Sequence, residues 1–166
     1  MTAARPLEAR RGGVVLAGEA TPGDAEPVLL LHGLTATRRY VVHGSRVLER
    51  AGHPVVAYDA RGHGASSPAG GPEAYTYDEL VRDAQAVMDA ASIARAAVAG
   101  QSMGAATAAA LALAFPERVS ALALVTPAHL GRPSADLARW DRLAEGLESG
   151  GPEGFLAALG PLTLDE

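Results

Sequence analysis

The sequence predicts an α/β fold in which a mostly parallel β-sheet carries helices on both faces. Short, continuous apolar runs alternate with helix-length segments up to about residue 130. Continuous apolar runs are typical of strands that are buried on both faces, and their alternation with helices is typical of a parallel sheet. Turns rich in glycine and proline separate the segments, as expected for connections between strands and helices.

Each predicted strand is an apolar run that ends at a glycine, a proline or a polar loop. We predict the first run, at residues 13–17, as an edge strand. The remaining predicted strands are residues 28–33, 54–60, 95–100 and 118–127.

The predicted helices carry an apolar stripe at helical spacing or have clear start and stop signals. Thr76 followed by Glu79 matches a capping box at the start of one helix, and Pro116 ends another. Gly52 and Pro54 end the first predicted helix. The predicted helices are residues 37–54, 76–91, 102–117, 134–147 and 153–160.

Composition limits the classes of function. The 166-residue chain can form one globular unit with a sizeable core, and its net charge of -5 makes nucleic acids and anionic membranes poor partners. The absence of cysteine excludes disulfides and thiolate metal sites, and we expect a cytoplasmic protein without cofactor or metal. No uncharged apolar stretch is long enough to span a bilayer, and the N-terminal apolar patch is too short for a signal-peptide core.

A G-x-S-x-G sequence runs from Gly100 to Gly104, where a predicted strand ends and a helix begins. The serine of such a sharp turn has a strained backbone, and glycines on both sides prevent collisions between strand and helix. Ser102 would stand at the carboxyl edge of the sheet, at a helix N-terminus that favours developing negative charge. Such a motif also arises by chance in a chain with 19 glycines, so the strand–turn–helix setting carries the prediction that Ser102 is a nucleophile.

Two further segments support this interpretation. One predicted strand ends in Leu31-His32-Gly33-Leu34, and residues 58–67 read YDARGHGASS. Together with the serine motif, these segments resemble the α/β-hydrolase family over about residues 10–130. The resemblance implies that the N–H groups of Leu34 and Met103 form an oxyanion hole, with Gly33 in the turn.

The resemblance also implies structural roles for the other polar residues of these segments. His32 is expected to be structural, with general-base catalysis as the alternative. Asp59 and Arg61 are expected to anchor the following loop through charge-assisted hydrogen bonds. His63 is expected to pack within that loop.

The family orders its triad as serine, acid and histidine, and the last two are not recognisable here. After Ser102 the chain has one histidine, His129, just beyond the strand predicted at residues 118–127. We interpret residues 1–130 as the N-terminal part of an α/β-hydrolase core and residues 131–166 as the start of a cap or lid. In this interpretation the fold is truncated, its later strands are missing, and the unpaired sheet edge allows self-association. His129 as a substitute base is the alternative to a pocket-wall or surface residue.

These observations favour a serine hydrolase that acts on a small ester, lactone or related acyl substrate through an acyl-enzyme on Ser102. The rival hypothesis is a catalytically silent module of this fold that binds a small ligand or a partner. Haloalkane dehalogenases and epoxide hydrolases of this fold have an aspartate in the strand-to-helix turn where this chain has Ser102, so Ser102 argues against both. Haloperoxidase-like and C–C bond hydrolase chemistry stays open. Because a serine hydroxyl needs a base, we expect this chain alone to be inactive.

Overall fold

Six strands form one sheet in the first of two compact units, Met1–Leu130 and Gly131–Glu166. The structure is a computed structural model that describes residues 4–41, 44–128 and 137–160. The strands are β1 (Arg5–Arg11), β2 (Val14–Ala20), β3 (Val28–Leu31), β4 (Val55–Tyr58), β5 (Ala96–Gln101) and β6 (Val119–Val125). The helices of this unit are α1 (Val47–Arg50), α2 (Tyr77–Ala90) and α3 (Met103–Ala114), with short 3-10 turns at Arg38–Tyr40, Pro72–Tyr75 and Pro116–Arg118.

The strand order is β1-β2-β4-β3-β5-β6. Strands β4, β3, β5 and β6 are parallel, whereas β2 pairs antiparallel with both β1 and β4. The predicted mostly parallel sheet with helices on both faces is confirmed. Parallel order places the carboxyl ends of β3, β4, β5 and β6 at one edge, where open α/β sheets bind ligands.

Strand β1 was not predicted, because Ala9 is its one fully buried residue and the strand shows no apolar run. The available signal was Gly12-Gly13, which has positive φ angles of 55° and 82° and joins β1 to β2 as a two-residue hairpin turn. The edge strand predicted at residues 13–17 is therefore the second strand of a hairpin.

Alternate residues of the central strands supply two apolar layers, one on each face of the sheet. Leu29 and Leu31 of β3 belong to the larger layer, which includes residues of α2 and α3. Val28 and Leu30 belong to the smaller layer, against which Val41 and Leu48 pack. Buried alanines along α3 allow this helix to lie close to the sheet.

The helix predicted at residues 37–54 is largely wrong. The structure has a 3-10 turn at Arg38–Tyr40 and a single helical turn at Val47–Arg50. Gly44 lies between them with φ of 76°, which a continuous helix does not allow. Of the apolar residues in this segment, Tyr40 and Val47 are exposed and Leu48 is partly buried, so helical spacing predicted the wrong backbone.

Strand β6 leaves much apolar surface exposed. The exposed fractions of Leu122, Leu124 and Val125 are 41%, 41% and 54%. One edge of β6 pairs with β5, and no strand of the described chain pairs with the other edge. Unpaired, apolar edge strands are prone to pair with other chains.

The second unit contains α4 (Leu137–Leu159), which consists of two helical segments that meet at Gly151 and Pro152. Gly151 has φ of 59°, and proline removes a backbone donor, so the helix is interrupted there as the sequence predicts. A Cβ atom at Gly154 would lie 2.1 Å from the carbonyl oxygen of Gly146, so glycines allow the two segments to approach closely. Within the described ranges, no helix is long and apolar enough to cross a membrane.

Candidate active site

Ser102 lies between β5 and α3 in a strained backbone conformation, with φ of 51° and ψ of -114°. A non-glycine residue with positive φ is uncommon, and the strain costs about 1–3 kcal/mol. A Cβ atom at Gly100 would lie 2.2 Å from the Gly104 carbonyl oxygen, and one at Gly104 would lie 2.2 Å from the Leu31 carbonyl oxygen. Neither glycine can therefore carry a side chain without displacing backbone.

The end of β6 holds the turn from the other side. The Ser102 N–H donates to the Val125 carbonyl at 3.0 Å, and the Ala128 N–H donates to the Ser102 carbonyl at 3.2 Å. Between these two residues, Thr126 has φ of 42°, a rare value for a β-branched residue. The sequence analysis missed Thr126, because its conformation follows from the contact between two loops and not from a local motif.

The turn after β3 lies directly beside Ser102. A Cβ atom at Gly33 would lie 3.5 Å from both the Ser102 Cβ and the Gln101 carbonyl oxygen, which is ordinary contact. A Cβ atom at Gly33 would therefore not clash with the backbone. The absence of a side chain there leaves space next to Ser102. The Ala36 N–H donates to the Gly33 carbonyl at 3.1 Å and closes the turn.

The backbone N–H groups of Leu34 and Met103 have no hydrogen-bond acceptor among the residues that the structure describes. Met103 follows Ser102 directly, and Leu34 follows Gly33 in the adjacent turn. Unpaired amides beside a serine are suited to stabilise a developing oxyanion. The Ser102 hydroxyl likewise has no hydrogen-bond partner within the described ranges, so no described residue is placed as its base.

His32 is buried, and the backbone engages both of its ring nitrogens. Nδ1 lies 2.7 Å from the Gly33 carbonyl oxygen, and Nε2 accepts the Ala60 N–H at 2.9 Å. These partners select the neutral tautomer that donates from Nδ1. Burial lowers the pKa of His32, which also favours the neutral ring. His32 is therefore placed to support the turn, and the geometry argues against its use as a general base.

The bond from His32 also orients the candidate oxyanion donor. The Gly33 carbonyl and the Leu34 N–H belong to one planar trans peptide, so they point in opposite directions. His32 and Ala36 both donate to that carbonyl. Fixing the carbonyl therefore fixes the direction of the Leu34 N–H.

Asp59 and Arg61 anchor the loop after β4, as the resemblance implies. The buried Asp59 carboxylate accepts the Ala65 N–H at 2.9 Å and the Arg38 N–H at 2.8 Å, and it forms an ion pair with the Arg38 guanidinium. A Cβ atom at Gly64 would lie 2.2 Å from Asp59 Oδ2, so a glycine here allows the loop to pass close to the carboxylate. Gly64 also has a positive φ of 50°, which favours glycine.

Arg61 makes its main contacts with a residue that the sequence analysis did not identify. Its guanidinium donates through two nitrogens to the fully buried Asp83 of α2, at 2.6 and 2.7 Å. Arg11 of β1 donates to the same carboxylate at 2.9 Å. A polar residue within the apolar stripe of a predicted amphipathic helix was the available signal for Asp83.

Among the described residues, the candidate site contains neither a base nor a cavity of substrate size. His129, the alternative base, lies outside the described residues. A cavity of about 10 Å³ beside His32, Tyr58 and Met103 has room for about one water molecule, so it cannot hold an acyl substrate. No three His, Cys, Asp or Glu side chains are grouped for metal binding in the part of the chain that the structure describes.

Comparisons with known proteins agree with this architecture. A family model described as alpha/beta hydrolase fold matches residues 26–164. Over 138 residues the chain is 35% identical to the putative carbamate hydrolase RutD of Variovorax paradoxus, covering 82% of this chain and 51% of that protein. It is 43% identical over 86 residues to 3-oxoadipate enol-lactonase 2 of Acinetobacter baylyi, covering 51% of this chain and 32% of that protein.

A solved structure is similar over most of the chain. The crystal structure of the enol-lactonase from Burkholderia xenovorans LB400 matches with a TM-score of 0.78 and 29% identity, covering 92% of this chain and 57% of that one. The chain thus spans about half the length of the carbamate hydrolase and about a third of the length of the Acinetobacter lactonase.

Proposed function

Because the chain belongs to the alpha/beta hydrolase fold family, we propose that it carries the nucleophile of a serine hydrolase that acts on a small ester, lactone or related acyl substrate. One observation carries the proposal: the strained Ser102 is followed directly by Met103 and lies beside the turn that contains Leu34, and neither backbone N–H has an acceptor among the described residues. The names of the relatives, a putative carbamate hydrolase and an enol-lactonase, support a substrate with an acyl group.

In the proposed reaction, Ser102 Oγ attacks the substrate carbonyl carbon, and the carbonyl oxygen becomes an oxyanion. The Leu34 and Met103 N–H groups donate to this oxygen, and the N-terminus of α3 adds a favourable field. Each such donor is worth about 10²- to 10³-fold in rate. The base of the triad, which we propose lies outside this chain, takes the Ser102 hydroxyl proton and returns it to the leaving alcohol as the tetrahedral intermediate collapses to an acyl-enzyme. The same base then takes a proton from the water that hydrolyses the acyl-enzyme.

The acid and base of the triad are proposed to come from outside this chain. Both nitrogens of His32 are engaged by the backbone, and so are those of His63. His129 is the alternative base within the chain. The rival function, a silent binding module of the same fold, has the same strained serine but predicts no reaction at it.

Covalent labelling separates the two hypotheses. We expect a fluorophosphonate probe to form one slow adduct at Ser102, since the oxyanion amides act even where the base is missing. Intact-mass and peptide-mapping spectrometry would identify the modified residue. Ser102→Ala should abolish the adduct, and Ser92→Ala, a matched control at another serine with positive φ, should leave it unchanged. An adduct that survives Ser102→Ala places the nucleophile elsewhere, and no adduct favours the silent module.

Turnover is a separate expectation. Without a base to activate water, the acyl-enzyme should not deacylate at a useful rate, because general-base assistance supplies about 10²- to 10⁴-fold. We therefore expect p-nitrophenyl acetate hydrolysis by the 166-residue chain to stay at the buffer rate. Esterase turnover that depends on Ser102 would instead make His129 the leading candidate for the base.

A further inference from the structure

The two ring nitrogens of His63 both face backbone carbonyl oxygens. Nε2 lies 2.7 Å from the Leu34 carbonyl oxygen, and Nδ1 lies 2.9 Å from that of Arg61. A neutral imidazole has one N–H and can donate to one of these oxygens, leaving a lone pair directed at the other. The imidazolium has two N–H groups and satisfies both. Only a doubly protonated ring donates to both of these oxygens.

His63 differs from His32 in the partners of its two ring nitrogens. His32 has one carbonyl and one N–H as partners, which suits a neutral ring, and its ring centroid lies 5.0 Å from that of His63. Each imidazole joins the turn after β3 to the loop after β4. His32 does so from the turn, through Ala60, and His63 does so from the loop, through Leu34.

The bond from His63 complements the one from His32 at the candidate oxyanion donor. His32 fixes the peptide between Gly33 and Leu34, and His63 fixes the following peptide, whose carbonyl belongs to Leu34. With both flanking peptide planes held, the direction of the Leu34 N–H is fixed.

The charged side chains of the loop that carries His63 are paired with other side chains. Asp59 lies beneath it and is paired with Arg38, while the Arg61 guanidinium is bound to Asp83 of α2. His32, from the end of β3, is neutral. The loop and the turn therefore offer the imidazolium two carbonyl acceptors, those of Arg61 and Leu34.

We propose that His63, as an imidazolium, is a positioning residue that holds the Leu34 turn in place by donating to the Leu34 and Arg61 carbonyls. The consequence for catalysis rests on the proposed function, in which the Leu34 N–H is an oxyanion donor. The hydrogen-bonded turn itself does not depend on that function.

Nuclear magnetic resonance tests the turn directly. Long-range 1H–15N spectra of the full chain should show both His63 nitrogens protonated and one His32 nitrogen protonated. In His63→Gln, hydrogen exchange at the Ala36 amide, which closes the turn on Gly33, should be about tenfold faster, as expected for loss of a charge-assisted hydrogen bond. His53→Gln is the matched control, since His53 also faces a carbonyl, that of Glu26, away from the turn.

Labelling tests the consequence for the site. At an unchanged melting temperature, His63→Gln should slow fluorophosphonate labelling of Ser102 about tenfold, and His53→Gln should not. A singly protonated His63 ring together with unchanged Ala36 exchange would overturn the proposal. Confirmed protonation with equal labelling of wild type and His63→Gln would overturn the positioning role. Absent labelling of the wild type would refute the proposed function, while Ala36 exchange would still decide whether His63 holds the turn.

Discussion

Gly104 lies where α3, the helix that follows Ser102, approaches the sheet closely. A Cβ atom there would lie 2.2 Å from the Leu31 carbonyl oxygen, which is backbone and cannot rotate away. Gly104→Ala should therefore lower the free energy of unfolding by about 1–3 kcal/mol through overpacking. Gly70→Ala is the control, because nothing lies within 4 Å of a Cβ there, and it should change stability by less than about 0.5 kcal/mol.

Urea unfolding curves of the two variants measure this difference. If both midpoints equal that of the wild type, α3 can move off the sheet without cost. The close contact between Gly104 of α3 and Leu31 of β3 would then be absent from the folded state.

His32 makes stability depend on pH. Burial lowers its pKa, so between the ordinary value of about 6.5 and the lowered one the unfolded chain binds a proton that the folded chain does not. The contribution of the neutral ring is thus present above about pH 6.5 and is lost as the pH falls towards the lowered pKa. The slope for one proton is at most about 1.4 kcal/mol per pH unit.

Replacing His32 should remove this part of the slope. The free energy of unfolding of the wild type should fall more steeply between pH 7 and 5.5 than that of His32→Gln, whatever the overall stability of the variant. Urea unfolding at several pH values measures both slopes. Parallel curves would contradict the assignment of a buried, neutral His32.

At the residue scale, Ser102, Gly100 and Gly104 were predictable because a local motif requires their conformations. Thr126 and His63 were not, since their roles arise where loops from different strands meet. The sequence places residues 32–34 and 60–63 far from each other along the chain, and the parallel pairing of β3 with β4 brings them together.

At the scale of elements, β6 has the most exposed apolar surface of the sheet. Its unpaired edge and the exposed Leu122, Leu124 and Val125 should cause association that increases with protein concentration. Leu124→Lys should reduce this association and the binding of dyes that report exposed apolar surface, because edge lysines block strand pairing.

Leu113→Lys provides the control for surface charge alone. Leu113 is more exposed than Leu124 but lies on α3, so a lysine there should leave association nearly unchanged. Analytical ultracentrifugation of the three proteins measures the effect. A monomeric wild type, or equal effects of both lysines, would contradict association through the β6 edge.

Strong patterns at this scale predicted the buried strands and α2 and α3, because continuous apolar runs and capping signals are local. The sequence failed at β1 and at residues 37–54. Strand β1 buries few residues and depends on its hairpin with β2. In residues 37–54, the apolar residues have the spacing of a continuous helix, but the positive φ of Gly44 interrupts the helical backbone.

At the scale of the whole molecule, the chain has a parallel sheet of the alpha/beta hydrolase fold and a strained turn at Ser102, and it spans about half the length of the carbamate hydrolase to which it is similar. The described residues contain a strained serine and two unpaired amides, and they contain no free histidine at that serine. We therefore expect a site that can be acylated or phosphonylated but that turns over poorly by itself.

A crystal structure of the chain after reaction with a fluorophosphonate would show whether Ser102 is the nucleophile. We expect a covalent bond from Ser102 Oγ to phosphorus, with one phosphoryl oxygen about 2.7–3.1 Å from the backbone nitrogens of both Leu34 and Met103. An adduct on another residue, or a phosphoryl oxygen on Ser102 that contacts neither nitrogen, would contradict it.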